Sequence, residues 1–123
     1  MTARVLSIAN CKGGTGKTSL SSSYAFRMAE MGYRVLIIDL DPQGNATTGM
    51  GIDARNFELS MYDVLMRDAS LEDCIEPTAI KNLFVAPSSL HLAGAELELA
   101  GAIGREMRLR RALNGIDDDY DYI

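Results

Sequence analysis

The sequence predicts an α/β domain, a mostly parallel β-sheet flanked by helices, and three observations carry that reading. Val5–Ala9 and Val35–Ile38 are short, branched and almost continuously apolar, the pattern of strands buried on both faces of a parallel sheet. Between them a glycine-rich loop runs into a stretch of helical periodicity, so strand, loop, helix and strand succeed one another as a βαβ unit. Leu83–Ala86 repeats the strand signature and is closed by Pro87.

The intervening elements follow from local signals. From Lys17, the apolar residues Leu20, Tyr24, Met28 and Met31 share one helical face, and Gly32 closes that helix. Leu40–Phe57 is rich in Gly, Asn, Thr and Asp with no sustained period, which predicts a mobile loop. Met61–Arg67 and Leu71–Ile75 read as short helices with Ser60 and Ser70 at their caps. Ala95, Leu99, Ile103 and Met107 recur every fourth residue, predicting one long helix from Leu92 to Leu113, stopped by Asn114 and Gly115. Asp117–Asp119 is expected to turn, and Tyr120–Ile123 to begin a strand. With no internal repeat and no low-complexity linker, residues 1–123 read as part of a single domain whose sheet is incomplete.

Composition narrows the function classes. At 47% hydrophobic and 24% charged residues, the chain has material for a core and does not resemble a disordered segment. A formal net charge of -5 lacks the basic footprint of non-specific DNA binding, so any DNA contact needs another segment or a local patch. Cys11 and Cys74 lie far apart behind a start with no secretory apolar region, which points to a reducing cytoplasm. No apolar run approaches bilayer length, so no membrane role is expected.

The chemistry concentrates at Cys11, Lys12, Gly13, Gly14, Thr15, Gly16, Lys17 and Thr18, between a strand and a helix start. Glycines let the backbone curl so that successive N–H groups face phosphate oxygens, and the helix start adds the positive end of its dipole. Lys17 supplies a point charge to the terminal phosphates, Thr18 a hydroxyl for magnesium, and Ser19 reaches an inner phosphate. The general phosphate-loop pattern asks for glycine where this chain has Cys11. Lys12 followed by Gly13 and Gly14 matches the deviant form instead, and here the sequence resembles the ParA/MinD family of P-loop ATPases (deviant Walker A).

A second motif, Asp39-Leu40-Asp41-Pro42-Gln43-Gly44-Asn45, follows the second strand at the sheet edge where the phosphate loop also emerges. In an extended chain Asp39 and Asp41 alternate sides, so they are expected to do different jobs. This motif, with Leu92-Ala93-Gly94-Ala95-Glu96-Leu97-Glu98-Leu99 and Arg105-Glu106, resembles the chromosome and plasmid partitioning subgroup, and the resemblance spans essentially the whole chain as the first part of an AAA-31/CbiA-like nucleotide-binding domain.

The resemblance implies ATP and Mg2+ as cofactors. It implies that Lys12 reaches across an ATP-sandwich homodimer, that Asp41 positions the attacking water, and that Asp39 helps organise the magnesium shell. Members commonly carry glutamine where Cys11 stands, which reads as a tolerated substitute. The resemblance further implies a ParB-type centromere-binding partner, non-specific DNA binding through segments beyond Ile123, and a nucleoid-associated cytoplasmic location. Left open are a non-hydrolysing nucleotide-binding or dimerisation module and an ATPase that positions another cargo; the Asp41-Pro42-Gln43-Gly44-Asn45 run speaks against a dethiobiotin-synthetase-like ligase.

The remaining candidates have plainer readings. Arg105, Arg108, Arg110 and Arg111 suit a solvated helix end, and His91 has no companion at metal-ligand spacing.

Overall fold

The structure, a computed structural model, describes residues 3–8, 17–52, 58–100 and 107–123, with the backbone alone at 17–19, 96–97 and 99–100. Three strands, β1 (Val35–Ile38), β2 (Glu76–Pro77) and β3 (Leu83–Ala86), form one sheet in the order β1-β3-β2. β1 and β3 pair in parallel from Val35–Leu83 to Ile38–Ala86, as the βαβ reading requires. The two-residue β2 pairs antiparallel to β3 and was not foreseen; Pro77 suits its place at the sheet margin.

Tyr122 bridges Val35 on one side and Arg4 on the other, both in parallel, so residues 121–123 lie between β1 and the N-terminal segment. Arg4 N–H donates to the Asp121 carbonyl at 3.0 Å, and Leu6 N–H to that of Ile123 at 2.8 Å. Of the strand expected at Val5–Ala9, residues 5–8 are not assigned as strand: the bridge to Tyr122 falls one residue earlier, at Arg4, and Leu6 N–H extends the pairing to Ile123; Ala9 lies outside the described residues. Nor is that segment buried on both faces. Val5 and Leu6 are 51% and 52% exposed.

Six helices surround this sheet among the described residues: α1 (Lys17–Glu30), α2 (Asn45–Gly49), α3 (Met61–Met66), α4 (Leu71–Cys74), α5 (Leu92–Ala100) and α6 (Arg108–Ala112). Strand alternation sorts the core into two layers. Leu36 and Ala86 face Met61, Val64, Leu71, Leu92, Ala95 and Tyr120, while Val35, Leu83 and Val85 face Ala25, Ala29 and Met50.

α1 ends as Gly32 predicts. Gly32 adopts φ 93°. Its N–H donates to the Ala29 carbonyl at 3.0 Å and that of Tyr33 to Met28 at 3.1 Å, a Schellman termination. Its buried face, however, is not the expected one: Ala25 and Ala29 are buried, whereas Leu20, Tyr24 and Met31 are exposed. Small residues let the helix approach the sheet closely, so the larger side chains are turned to the flanks; of the expected face, Met28 alone packs on the core.

Ser60 caps α3 with a reciprocal capping box: its hydroxyl accepts from Tyr62 N–H while its own N–H donates to Asp63 Oδ2 at 2.9 Å. The stretch expected as loop, Leu40–Phe57, contains α2, and residues 53–57 lie outside the described residues. A helix of five residues is too short to show a hydrophobic period in sequence. Where one long helix is expected from Leu92 to Leu113, the described residues hold two helices, α5 and α6, and residues 101–106 lie outside the described residues.

Candidate active site

The Asp39–Asn45 motif leaves the carboxyl end of β1 and turns sharply. Gly44 N–H donates to the Asp41 carbonyl at 2.9 Å, and Gln43 N–H to Asp41 Oδ1 at 3.0 Å. Gly44 sits at φ 66°, the left-handed region in which a Cβ is strained, so its place in the motif has a conformational reason.

Asp39 and Asp41 differ in environment. Asp39 is buried and its carboxylate is surrounded by protein donors. Oδ1 accepts from Asp41 N–H at 3.1 Å, and Oδ2 accepts from both Thr47 N–H at 2.9 Å and the Thr47 hydroxyl at 2.7 Å. Thr47 Oγ1 in turn accepts from Ser88 N–H at 2.9 Å, and the Ser88 hydroxyl donates to the Asp41 carbonyl. Thr47 and Ser88 are both buried. The network joins the end of β1, the start of α2 and the turn after β3. Residues 41 positions apart carry no mutual signal in a single sequence, which is why Thr47 and Ser88 were not foreseen.

Asp41 is half-buried and lines a cleft of about 520 Å³ together with Ser7, Ile8, Ile38 and Asp39, among others. The residues just before the phosphate loop and those of the acidic motif therefore share one cavity. Of the loop itself, Cys11, Lys12, Gly13, Gly14, Thr15 and Gly16 lie outside the described residues. Lys17, Thr18 and Ser19 form the first turn of α1, as the loop-to-helix reading expects, and their side chains lie outside the described residues.

The Asp39 carboxylate accepts three hydrogen bonds, one at Oδ1 and two at Oδ2, which leaves acceptor capacity at Oδ1. No group of three or more His, Cys, Asp or Glu side chains gathers at metal-binding distance among the described residues.

The other candidates fall elsewhere. His91 packs its ring against Tyr62 at 5.4 Å between centroids. Arg108 donates to the Leu65 carbonyl at 2.6 Å, pinning α6 to α3. Cys74 is buried in the core, and burial first, then the nearby Asp63 and Glu76 carboxylates, push its thiol up to about 12. Among the described residues no helix is long and apolar enough to cross a membrane.

Similarity to known proteins agrees with this geometry. A family described as an AAA domain, AAA_31, matches residues 3–123. The chain is 48% identical over 120 residues to the sporulation initiation inhibitor protein Soj of Bacillus subtilis, covering 98% of this chain and 47% of Soj. It is 41% identical over 120 residues to the chromosome partitioning protein ParA of Myxococcus xanthus, covering 98% of this chain and 42% of that protein. Among solved structures, cobyrinic acid a,c-diamide synthase from Mycobacterium smegmatis with bound ADP and magnesium superposes with a TM-score of 0.91 at 39% identity, over 98% of this chain and 49% of the synthase. The chain thus spans about half the length of the relatives it matches. Across that span, it belongs to the AAA_31 family of AAA domains, as one of its ParA/MinD-type P-loop NTPases.

Proposed function

We propose that this chain is the nucleotide-binding part of an ATP-hydrolysing partitioning switch of the ParA type. One observation carries the reading: the acidic motif is held in a fixed turn that lines the same cleft as Ser7 and Ile8, from which the phosphate loop departs. Similarity to Soj and ParA supports the partitioning role, and the ADP and magnesium of the Mycobacterium smegmatis structure support the ligands.

In this reading the loop amides of residues 11–16 and the start of α1 cradle the phosphates of ATP. Lys17 neutralises charge that develops on the transferred phosphoryl group, and Ser19 holds an inner phosphate. Thr18 would hold the magnesium ion through its hydroxyl, and Asp39 would help to organise the shell around it. When bound, the ion would supply neutralisation of phosphate charge. Asp41 orients the attacking water. Lys12 contacts the nucleotide of a second copy, so ATP binding and dimerisation are coupled. Cys11 contributes backbone to the loop. The dimer engages DNA and a ParB-type partner, and hydrolysis resets it in the cytoplasm at the nucleoid.

Calorimetric titration with magnesium-ATP tests the site. Binding by the parent chain and its loss in Lys17→Ala are expected; equal binding by both would overturn the assignment of the loop. In the intact protein, Asp41→Ala is expected to slow hydrolysis about 100-fold with nucleotide still bound.

A second reading is favoured by the likeness to the Mycobacterium smegmatis synthase: an enzyme that uses ATP to make a product from an organic acceptor. ATP turnover without any added acceptor supports the switch; turnover that appears only with an acceptor supports the synthase.

A further inference from the structure

We infer that Thr47 and Ser88 are positioning residues for ATP hydrolysis, fixing Asp41 through a buried relay anchored on Asp39; this rests on the assignment of Asp41 above. The Thr47 hydroxyl works in both directions, donating to Asp39 Oδ2 at 2.7 Å and accepting from Ser88 N–H at 2.9 Å. From there the relay reaches Asp41 by two routes. Asp39 Oδ1 accepts from Asp41 N–H at 3.1 Å, and the Ser88 hydroxyl donates to the Asp41 carbonyl. The peptide groups on both sides of the Asp41 Cα are therefore held by side chains, one from Asp39 within the same turn and one from Ser88 in the segment after β3.

That arrangement goes beyond what a turn needs. Gly44 N–H already closes the turn on the Asp41 carbonyl, and Gln43 N–H already bonds the Asp41 carboxylate. Thr47, Ser88 and Asp39 are each no more than 5% exposed, so water does not substitute for a missing partner. A group that orients water for in-line attack must be held to a fraction of an ångström, and a buried network from neighbouring elements supplies that constraint. Met61 N–H donates to the Pro87 carbonyl at 2.8 Å, which anchors the residue before Ser88 to the capped start of α3.

The test is steady-state ATP hydrolysis and magnesium-ATP affinity in the intact protein. Thr47→Val keeps the shape and removes the hydroxyl; Ser88→Ala removes only the contact to the Asp41 carbonyl. Both are expected to lower kcat by about tenfold or more with nucleotide affinity within about threefold of the parent. Thr47→Ser, which retains the hydroxyl, is expected to restore most of the rate. In an Asp41→Ala background, Thr47→Val should add little further loss, because the residue acts through Asp41.

Unchanged kcat in both variants, or kcat and affinity falling together, would overturn the relay while leaving the role of Asp41 intact. Hydrolysis undiminished in Asp41→Ala would instead remove the reading on which the relay rests. Should Thr47→Val not fold, Ser88→Ala decides the matter, since it leaves the Ser88 N–H bond to Thr47 in place.

Discussion

Thr47 gives Asp39 two hydrogen bonds to a single carboxylate oxygen, one from its backbone N–H at 2.9 Å and one from its hydroxyl at 2.7 Å. Removing the acceptor leaves both donors buried without a partner, together with Asp41 N–H. Asp39→Ala is therefore expected to cost about 3 kcal/mol of stability, and Asp39→Asn less because it keeps one acceptor oxygen. Urea unfolding followed by circular dichroism measures both. A loss below about 0.5 kcal/mol would mean that the network is not closed in solution.

The capping box at Ser60 makes a separate prediction about α3. Ser60→Ala removes the acceptor for Tyr62 N–H and should destabilise the chain by about 1 kcal/mol. Ser60→Asp retains an acceptor and should fall within about 0.5 kcal/mol of the parent. Equal losses in the two variants would show that packing of Met61, and not the cap, sets the helix start.

Alkylation reads the burial of Cys74. Its folded thiol is pushed up to about 12 from an ordinary 9.0, so the neutral form is the one the fold favours. The sign follows directly: this contribution is complete below pH 9.0, where the unfolded thiol is also protonated, and is lost as the pH rises toward 12. In a Cys11→Ser background, iodoacetamide at pH 8 should leave the folded chain unmodified and label it rapidly in urea. Fast labelling of the folded chain would place the thiol at the surface.

Substitutions on α1 test which face is buried. Ala25→Leu inserts bulk where the helix meets the sheet and should cost about 2 kcal/mol through overpacking. Leu20→Ala, at a position 49% exposed, should change stability by less than about 0.5 kcal/mol. The reverse order of effects would restore the face expected from the spacing of Leu20, Tyr24, Met28 and Met31.

What the sequence by itself determined were the features set within a few residues of one another. The bounds of β3, the cap at Ser60 and the Gly32 termination were all legible, because strand burial, capping and a left-handed backbone leave their mark on adjacent positions. So was the acidic motif at the carboxyl end of β1, through the order of strand, glycine-rich loop, helix and strand. The tertiary structure decided matters that depend on what lies opposite a residue. The alanine face of α1 prevails over its larger apolar residues because the sheet admits a close approach only there. The insertion of residues 121–123 between β1 and the N-terminal segment is a matter of pairing between distant stretches. The binding of Thr47 and Ser88 to Asp39 and Asp41 is likewise invisible in one sequence, because a hydrogen bond between segments depends on where the fold brings them together, whereas periodicity and capping depend only on neighbours along the chain.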